Sequence, residues 1–293
     1  MKAGRIIIGA VTTIAILAIF TADHYWTKGF LSAALLSVVA FTATLELCGV
    51  LEKAGVPTFP NLASFASLLV AILPACVIRW RPGMSPFAPQ ATVVFGFMVI
   101  TFALAMKRED LAAGAKAVVG GTFTVIYVGL ALSFLVRLRD FPPSDVGEGL
   151  LLFSIGCAKV GDMGAYFVGK AFGRHQLSPR LSPKKTLEGA MGAALGSIAA
   201  ALIIWGLFGS EIQKVAGREG FLWVLLLWSV ILSIAAQFGD LAESLLKRAG
   251  GVKDSGGVFG SMGGVLDLVD SLLIAAPVAY LLALAEGFGA VQG

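Results

Sequence analysis

Long runs without a charged residue recur along this chain of 293 residues, and they limit the folds open to it. A helix needs about 20 mostly apolar residues to cross a bilayer. Charged residues make up only 14% of the chain, against about 25% in an ordinary soluble domain. We therefore predict an all-α, polytopic integral membrane protein with about nine transmembrane helices. The uncharged runs are 6–22, 29–45, 61–78, 88–106, 117–136, 189–210, 220–239 and 271–285, with a further apolar run at about 150–172 interrupted by Lys159, Asp162 and Lys170.

The polar residues divide these spans into two regions. Residues 1–148 hold about five spans with few polar groups beyond threonines, serines and Glu46, and we expect a transmembrane scaffold there. Residues 149–293 hold about four spans and most of the distinctive charges, so we expect them to be catalytic.

Lysine and arginine concentrate in the loops on the side of the N-terminus, as cytoplasmic loops do. We therefore expect the N-terminus inside, and a polar active site at the cytoplasmic helix ends, in the inner membrane of a prokaryote. The net charge of +4 suits contact with anionic lipid headgroups.

Two sets of polar residues in the stretch 240–270 recur at the spacing that puts side chains on one helical face. Carboxylates grouped in this way bind hard cations such as Mg²⁺, with waters and phosphates completing the shell. We predict that Asp240, Asp267 and Asp270 hold a metal ion. The first set is Asp240, Glu243 or Ser244, and Lys247; the second is Asp267 and Asp270.

Two glycines, Gly263 and Gly264, precede the second set. They would let a phosphate approach free amides at the N-terminus of the last helix. The alternative is that the aspartates only cap helices. Capping would account for Asp267 alone, and poorly for the other members of the two sets.

A second candidate segment lies upstream. Lys159 and Asp162 are three residues apart within an apolar run, where ionisable residues usually mark function. A neutralised structural pair is the alternative. The loop that follows carries lysine and hydroxyl side chains that could bind phosphate oxygens. The alternative is a basic loop whose charges only set the membrane topology. The predicted substrate-binding residues here are Asp162, Ser182, Lys184, Lys185 and Thr186.

One long motif runs through both segments. It comprises Ser244, Lys247, Arg248, Lys253, Asp254, Gly263, Gly264, Asp267 and Asp270, preceded by Asp162, Ser182, Lys184, Lys185 and Thr186. This motif resembles the signature of the CDP-diacylglycerol synthases (phosphatidate cytidylyltransferases), and the similarity covers roughly residues 155–285. Two positions depart from the family pattern: Met262 replaces a usual histidine and Leu268 a usual arginine. The carboxylates and lysines remain intact.

The resemblance implies transfer of CMP from CTP to phosphatidic acid, giving CDP-diacylglycerol and pyrophosphate in phospholipid biosynthesis. It implies Mg²⁺ as cofactor and leaves room for a second cation such as K⁺. The expected catalytic residues are Asp240, Lys247, Asp267 and Asp270, while the rest of the motif binds substrate. CTP, phosphatidic acid and membrane lipids are the expected partners, and nucleic acid is not. A homodimer also fits, because the small residues of 189–196 suit either a dimer interface or packing within one protomer.

Two other functions stay open at this point. A CTP-dependent enzyme with a different acceptor, such as an archaeal-type lipid phosphate or a polyprenol, would share the same motif. An ion-coupled transporter would use Lys159, Asp162 and Asp240 as a relay. Transporters often contain inverted repeats, and none is evident in this sequence.

Overall fold

The computed structural model describes residues 23, 27, 29–81, 83–257 and 263–288. The predicted first span at 6–22 and the departure at Met262 lie outside these residues. Within them, eight helical segments are long and apolar enough to cross a membrane. All eight of the predicted spans that fall on described residues are thus confirmed.

The helices, in chain order, are α1 (Phe30–Lys53), α2 (Pro60–Trp80), α3 (Phe87–Ala105), α4 (Leu111–Thr124), α5 (Ala131–Arg139), α6 (Ser144–Phe172), α7 (Leu187–Ala216), α8 (Phe221–Ala249) and α9 (Val265–Ala285). A π-helical segment, Val125–Leu130, joins α4 to α5, so that Leu111–Arg139 forms one continuous span. Several helices extend beyond the uncharged runs, because lysines and carboxylates at helix ends need not interrupt backbone hydrogen bonding. The extended part of α8 contains Asp240 and Lys247.

The loop between α6 and α7 forms a small hairpin that the all-α prediction did not include. Strands β1 (Gln176–Ser178) and β2 (Ser182–Thr186) pair antiparallel. Glu188 anchors the hairpin to α7, since one carboxylate oxygen accepts the backbone amides of Arg174 and His175 at 3.0 and 3.2 Å. Thr186 caps α7 by accepting the amide of Gly189 at 3.0 Å. These contacts hold the basic loop against the helical bundle.

Glycines set the close approach of α6 to α7. A Cβ added at Gly192 would lie 2.6 Å from the backbone oxygen of Gly164, and one added at Gly161 would lie 2.7 Å from Ser197 Oγ. No side chain fits between the two helices at these positions. The glycine-rich start of α7 therefore packs within the protomer, which is one of the two roles left open for it.

Helix α9 contacts helices from both regions of the chain. It packs against α8, α6, α5 and α1. At Gly239 the backbones of α8 and α9 nearly touch, since an added Cβ would lie 2.6 Å from the backbone oxygen of Asp270. This approach brings the acidic end of α8 beside the acidic start of α9.

Candidate active site

A cavity of about 490 Å³ opens among α6, the hairpin, α7, α8 and α9. Seven of the predicted site residues line it, and they come from both segments of the motif. Its walls are formed by Lys159, Asp162, Ala165, Tyr166, Gly169, Lys170, Leu177, Lys184, Lys185, Thr186, Gly189, Ala190, Gln237, Asp240, Asp267 and Asp270. The two segments, which are more than 50 residues apart in sequence, therefore line one cavity.

Three carboxylates meet beside this cavity: Asp240 and Asp270 line it, and buried Glu243 lies next to them. Oxygen atoms of Asp240, Glu243 and Asp270 all lie within 4.8 Å of one another. Glu243 is completely buried and Asp270 is 9% exposed. Among the described residues, Oε1 of Glu243 has no hydrogen-bond partner. Buried carboxylates crowded in this way repel one another unless a cation or a proton compensates their charge.

The donor set fits a hard divalent cation. Two oxygens bound to one Mg²⁺ are at most about 4.2 Å apart, since each Mg–O bond is about 2.1 Å. The ligand oxygens of the three carboxylates lie within 4.8 Å of one another, so a small inward shift of these side chains would bring them to binding distance, and the unpartnered oxygen of Glu243 offers a free ligand atom. This group, which we call the acidic triad (Asp240, Glu243, Asp270), is the candidate metal centre.

The acidic triad differs from the predicted metal set in one member. Asp240 and Asp270 are brought together as predicted, but the third carboxylate is Glu243 instead of Asp267. Asp267 lines the cavity, yet its Oδ1 pairs with Lys247 Nζ at 2.6 Å. Its Oδ2 accepts the amides of Gly264 at 2.6 Å and Ser255 at 3.0 Å, and the Ser255 hydroxyl at 2.8 Å. These contacts of Asp267 are those of a helix-capping residue, which was the alternative to a metal ligand for this aspartate.

The predicted phosphate site at the start of α9 is not free. The amides of Val265 and Leu266 donate to the carboxylate of Glu46, at 3.1 and 2.8 Å. With the Gly264 amide bound to Asp267, the first amides of the helix already have anionic partners. The amide of Gly264 is thus already engaged in this structure, and the substrate-binding role of Gly263 and Gly264 stays a prediction. Gly263 supplies a left-handed backbone conformation, with φ of 92°.

Lysines from the upstream segment face the acidic triad. Lys185, on β2, forms an ion pair with Asp240. Lys159 on α6 lies 3.7 Å from Asp162, and its Nζ donates to the hydroxyl of Ser271 on α9 at 3.0 Å. The predicted pair of Lys159 and Asp162 is confirmed, and Ser271 links it to the helix that carries Asp270. The cavity thus combines acidic and basic walls.

Several predicted residues lie near the cavity without lining it. Lys247 is behind the acidic triad, where its Nζ pairs with Glu243 at 2.5 Å as well as with Asp267. Arg248 donates from Nε to the backbone oxygen of Leu181 at 3.4 Å, so it ties the hairpin to the end of α8. The remaining residues of this kind are Ser182 on β2, half-buried Ser244 on α8, and exposed Lys253 and Asp254 after α8.

Other residues of the site were not predicted as such. Glu243 is three residues from Asp240 and four from Lys247, so helical spacing alone would have been enough to select it. Gln237 lies three residues before Asp240 and also lines the cavity. Tyr166 and Lys170 line it from α6, and Lys170 lies over the Tyr166 ring at 5.7 Å. Lys170 interrupts the apolar run at about 150–172, whereas no charge marks Gln237 or Tyr166 in the sequence.

Among the described residues, eight helices are of membrane length, and four of them line a cavity with clustered carboxylates and lysines. These features define an integral membrane protein with a candidate site for phosphate chemistry. The model of the cytidylyltransferase family matches residues 3–285 of this chain. The chain therefore belongs to the cytidylyltransferase family and is a membrane-bound nucleotidyltransferase. The match includes the N-terminal half, where the sequence motif had no counterpart.

Individual relatives agree with the family match. The chain is similar to proteins named phosphatidate cytidylyltransferase from three distant bacteria. It is 31% identical to that of Staphylococcus epidermidis over 77% of this chain and 79% of the relative. It is 36% identical to that of Brucella suis over 69% and 67%, and 28% identical to that of Chlamydia muridarum over 99% and 95%. A transporter function is not favoured by these similarities.

Proposed function

We propose that this protein transfers CMP from CTP to phosphatidic acid, forming CDP-diacylglycerol and pyrophosphate. The observation that carries the proposal is the acidic triad, facing lysines in a cavity between membrane-spanning helices. Family membership and the names of the relatives support the same reaction. The charges suit a reaction in which two polyanions must meet.

The bond changes need little help from a general base. An oxygen of the lipid phosphate attacks the α-phosphorus of CTP, and a new P–O bond forms. The bond from that phosphorus to the bridging oxygen of the β-phosphate breaks, and its electron pair leaves with pyrophosphate. A phosphate monoester has its second pKa near 6 and is largely dianionic at neutral pH. The protein therefore has to align the two phosphates and offset their repulsion.

The acidic triad would hold Mg²⁺, with phosphate oxygens and waters as its other ligands. Bound there, the ion would neutralise phosphate charge and polarise the α-phosphorus. Before substrate binds, Lys185 offsets part of the negative charge by its ion pair with Asp240. Lys184 and Lys185 lie on a hairpin strand at the cavity wall. They are therefore placed to bind the phosphates of a nucleotide entering from the aqueous side.

The surroundings of the cavity suit a lipid acceptor. Tyr166 lines the cavity and is 61% exposed, and its neighbours Met163 and Phe167 on α6 are exposed as well. Phe238 on α8 is 62% exposed, one residue after Gln237 of the cavity wall. Exposed apolar side chains on a membrane helix face lipid. A phosphatidic acid molecule could therefore place its headgroup in the cavity while its acyl chains remain in the bilayer.

Several finer points rest on the sequence alone and stay predictions. They are the cytoplasmic orientation of the site, the inner membrane of a prokaryote as its location, the division at residue 148, a second cation and a homodimer. The hairpin and the ends of α6 and α8 carry many basic residues, which supports a cytoplasmic orientation.

A radiolabel transfer assay tests the proposed reaction. Protein purified in detergent receives Mg²⁺, phosphatidic acid and CTP labelled at the α-phosphate, with or without EDTA. We expect label in the lipid fraction only without EDTA. CTP labelled at the γ-phosphate is the matched control, and its label should appear in pyrophosphate and never in lipid.

Assays with different acceptors distinguish the proposed reaction from CMP transfer to another lipid phosphate. Parallel reactions replace phosphatidic acid with a polyprenyl phosphate or an archaeal-type ether lipid phosphate. Transfer to one of these and not to phosphatidic acid would change the substrate while keeping the reaction class. If no acceptor gives Mg²⁺-dependent lipid-linked CMP, the proposal is rejected.

A further inference from the structure

Glu46 is a carboxylate from the N-terminal half that reaches the catalytic half. It lies in the second half of α1, a helix that is otherwise free of charge until Glu52. Its Oε1 accepts the amide of Val265 at 3.1 Å, and its Oε2 accepts the amide of Leu266 at 2.8 Å. The hydroxyl of Ser255 lies 3.2 Å from Oε2. All of these donors belong to the start of α9 or to the segment before it.

The surrounding backbone leaves room for this one carboxylate. A Cβ added at Gly256 or Gly264 would overlap the carboxylate of Glu46. At Gly250 an added Cβ would lie 2.6 Å from the backbone oxygen of Val50, one turn further along α1. The segment that follows α8 therefore packs closely on α1, and the two glycines near Glu46 accommodate its side chain.

Glu46 is also connected to the acidic triad through neighbouring side chains. The Ser255 hydroxyl is within hydrogen-bond distance of both Glu46 and Asp267. Asp267 pairs with Lys247, which pairs in turn with Glu243 of the acidic triad. A displacement of the α9 start would thus move Asp267 directly, and Asp270 one turn later.

We propose that Glu46 is a positioning residue for the transfer reaction. It provides the N-terminal cap of α9 from a different half of the chain, and so holds the first turn of α9 in register with α8. A charged side chain within a membrane span is costly, and two amides of a helix N-terminus offset that cost. This inference rests on the proposed function for its catalytic part, while its structural part can be measured without turnover.

The main test compares Glu46→Ala and Glu46→Gln with Glu52→Ala. Glu52 is a matched control, because it is a glutamate of the same helix that accepts the Thr58 hydroxyl at 3.0 Å and, among the described residues, has no hydrogen bond to α9. Hydrogen exchange of the peptide 263–272 is measured by mass spectrometry in detergent, together with kcat and KM for CTP.

Loss of the cap should affect exchange and turnover together. In Glu46→Ala we expect amide exchange at the start of α9 to rise about tenfold and kcat to fall about tenfold, as loss of charge-assisted hydrogen bonds implies. KM for CTP should change little, because the hairpin lysines are not disturbed. Glu46→Gln keeps an acceptor oxygen and should be intermediate, and Glu52→Ala should match the wild type.

A double-variant comparison keeps the test informative if Glu46→Ala folds poorly. Gly256→Ala should raise exchange and lower kcat on its own, since the new methyl displaces the carboxylate. Combined with Glu46→Gln, its effect should be smaller than the sum of the single effects, because both changes weaken one interaction.

Three results would overturn the positioning role. The first is amide exchange at the start of α9 that stays at the wild-type rate in both Glu46→Ala and Glu46→Gln. The second is faster exchange without a fall in kcat. The third is a change in Glu52→Ala as large as the change in Glu46→Ala. If the wild-type protein itself transfers no CMP, the proposed function fails, while the exchange measurement still decides whether Glu46 holds α9.

Discussion

Two groups of carboxylates lie side by side in this protein and have opposite surroundings. Glu46 and Asp267 accept several hydrogen bonds from backbone amides and Ser255 at the start of α9. The acidic triad holds three carboxylates close together, and one oxygen of Glu243 has no hydrogen-bond partner among the described residues. Carboxylates with satisfied oxygens stabilise the fold, and those with crowded, unsatisfied oxygens are available to a cation. The partners of an acidic residue, rather than its position in a motif, distinguish the two roles.

Lys247 stands between the two groups. It pairs with Asp267 on one side and with Glu243 on the other. A lysine shared in this way compensates charge in both groups and fixes the distance between α8 and α9. Its predicted importance is therefore consistent with its position, although it does not line the cavity.

The largest effect is expected for Asp270→Asn, which removes a charge from the acidic triad. We expect kcat to fall by about 10²–10³-fold, the scale seen when a group that stabilises developing charge is removed. Asparagine has nearly the same shape, so the melting temperature should remain near that of the wild type. Radiolabel transfer and thermal unfolding in detergent measure the two quantities. Substantial residual turnover would contradict a ligand role for Asp270.

A smaller and more specific effect is expected for Glu243→Gln. The Mg²⁺ concentration needed for half-maximal activity should rise by about 10–100-fold, as is typical when the environment of a metal is altered. Mn²⁺ binding followed by electron paramagnetic resonance gives a readout independent of turnover. Glu211→Gln is the matched control, because Glu211 pairs with Lys214 at the far end of α7. An unchanged metal affinity in Glu243→Gln would remove Glu243 from the site.

The smallest loss of activity among the three is expected for Asp267→Asn. This change removes the charge that Lys247 and three other donors contact, and should lower stability by about 1–3 kcal/mol. Thermal unfolding should show the loss, while the Mg²⁺ requirement should shift less than in Glu243→Gln. If Asp267→Asn instead shifts the metal requirement more than Glu243→Gln does, Asp267 is a ligand and the metal set predicted from sequence is restored.

Much of the fold follows from local properties of the sequence. A membrane span is recognised by the length of an uncharged run, because the bilayer core sets the required length. All eight runs on described residues are helices of membrane length. The ion pair of Lys159 with Asp162 was also predictable, because helical spacing fixes both partners on one face.

The site was predicted less completely, since its contacts join distant parts of the chain. Lys185 and Asp240 were both candidates, but their ion pair depends on how the hairpin folds over α8. Asp267 has the spacing of a metal ligand, and tertiary contacts with Lys247 and Ser255 engage its oxygens instead. Leu268, one of the two departures from the family pattern, is 46% exposed, and nothing in the structure explains that substitution.

The sequence by itself determined the membrane class, the eight described spans and the two segments whose residues line the cavity. Those properties depend on hydropathy and on spacing within single helices. Only the tertiary structure decided which carboxylates meet, because that depends on the approach of helix backbones at Gly239 and on the reach of Glu46 across the bundle. Such contacts arise from packing between different helices, and the contact of Glu46 with Val265 joins residues 219 apart in sequence, so no local pattern in either segment encodes them.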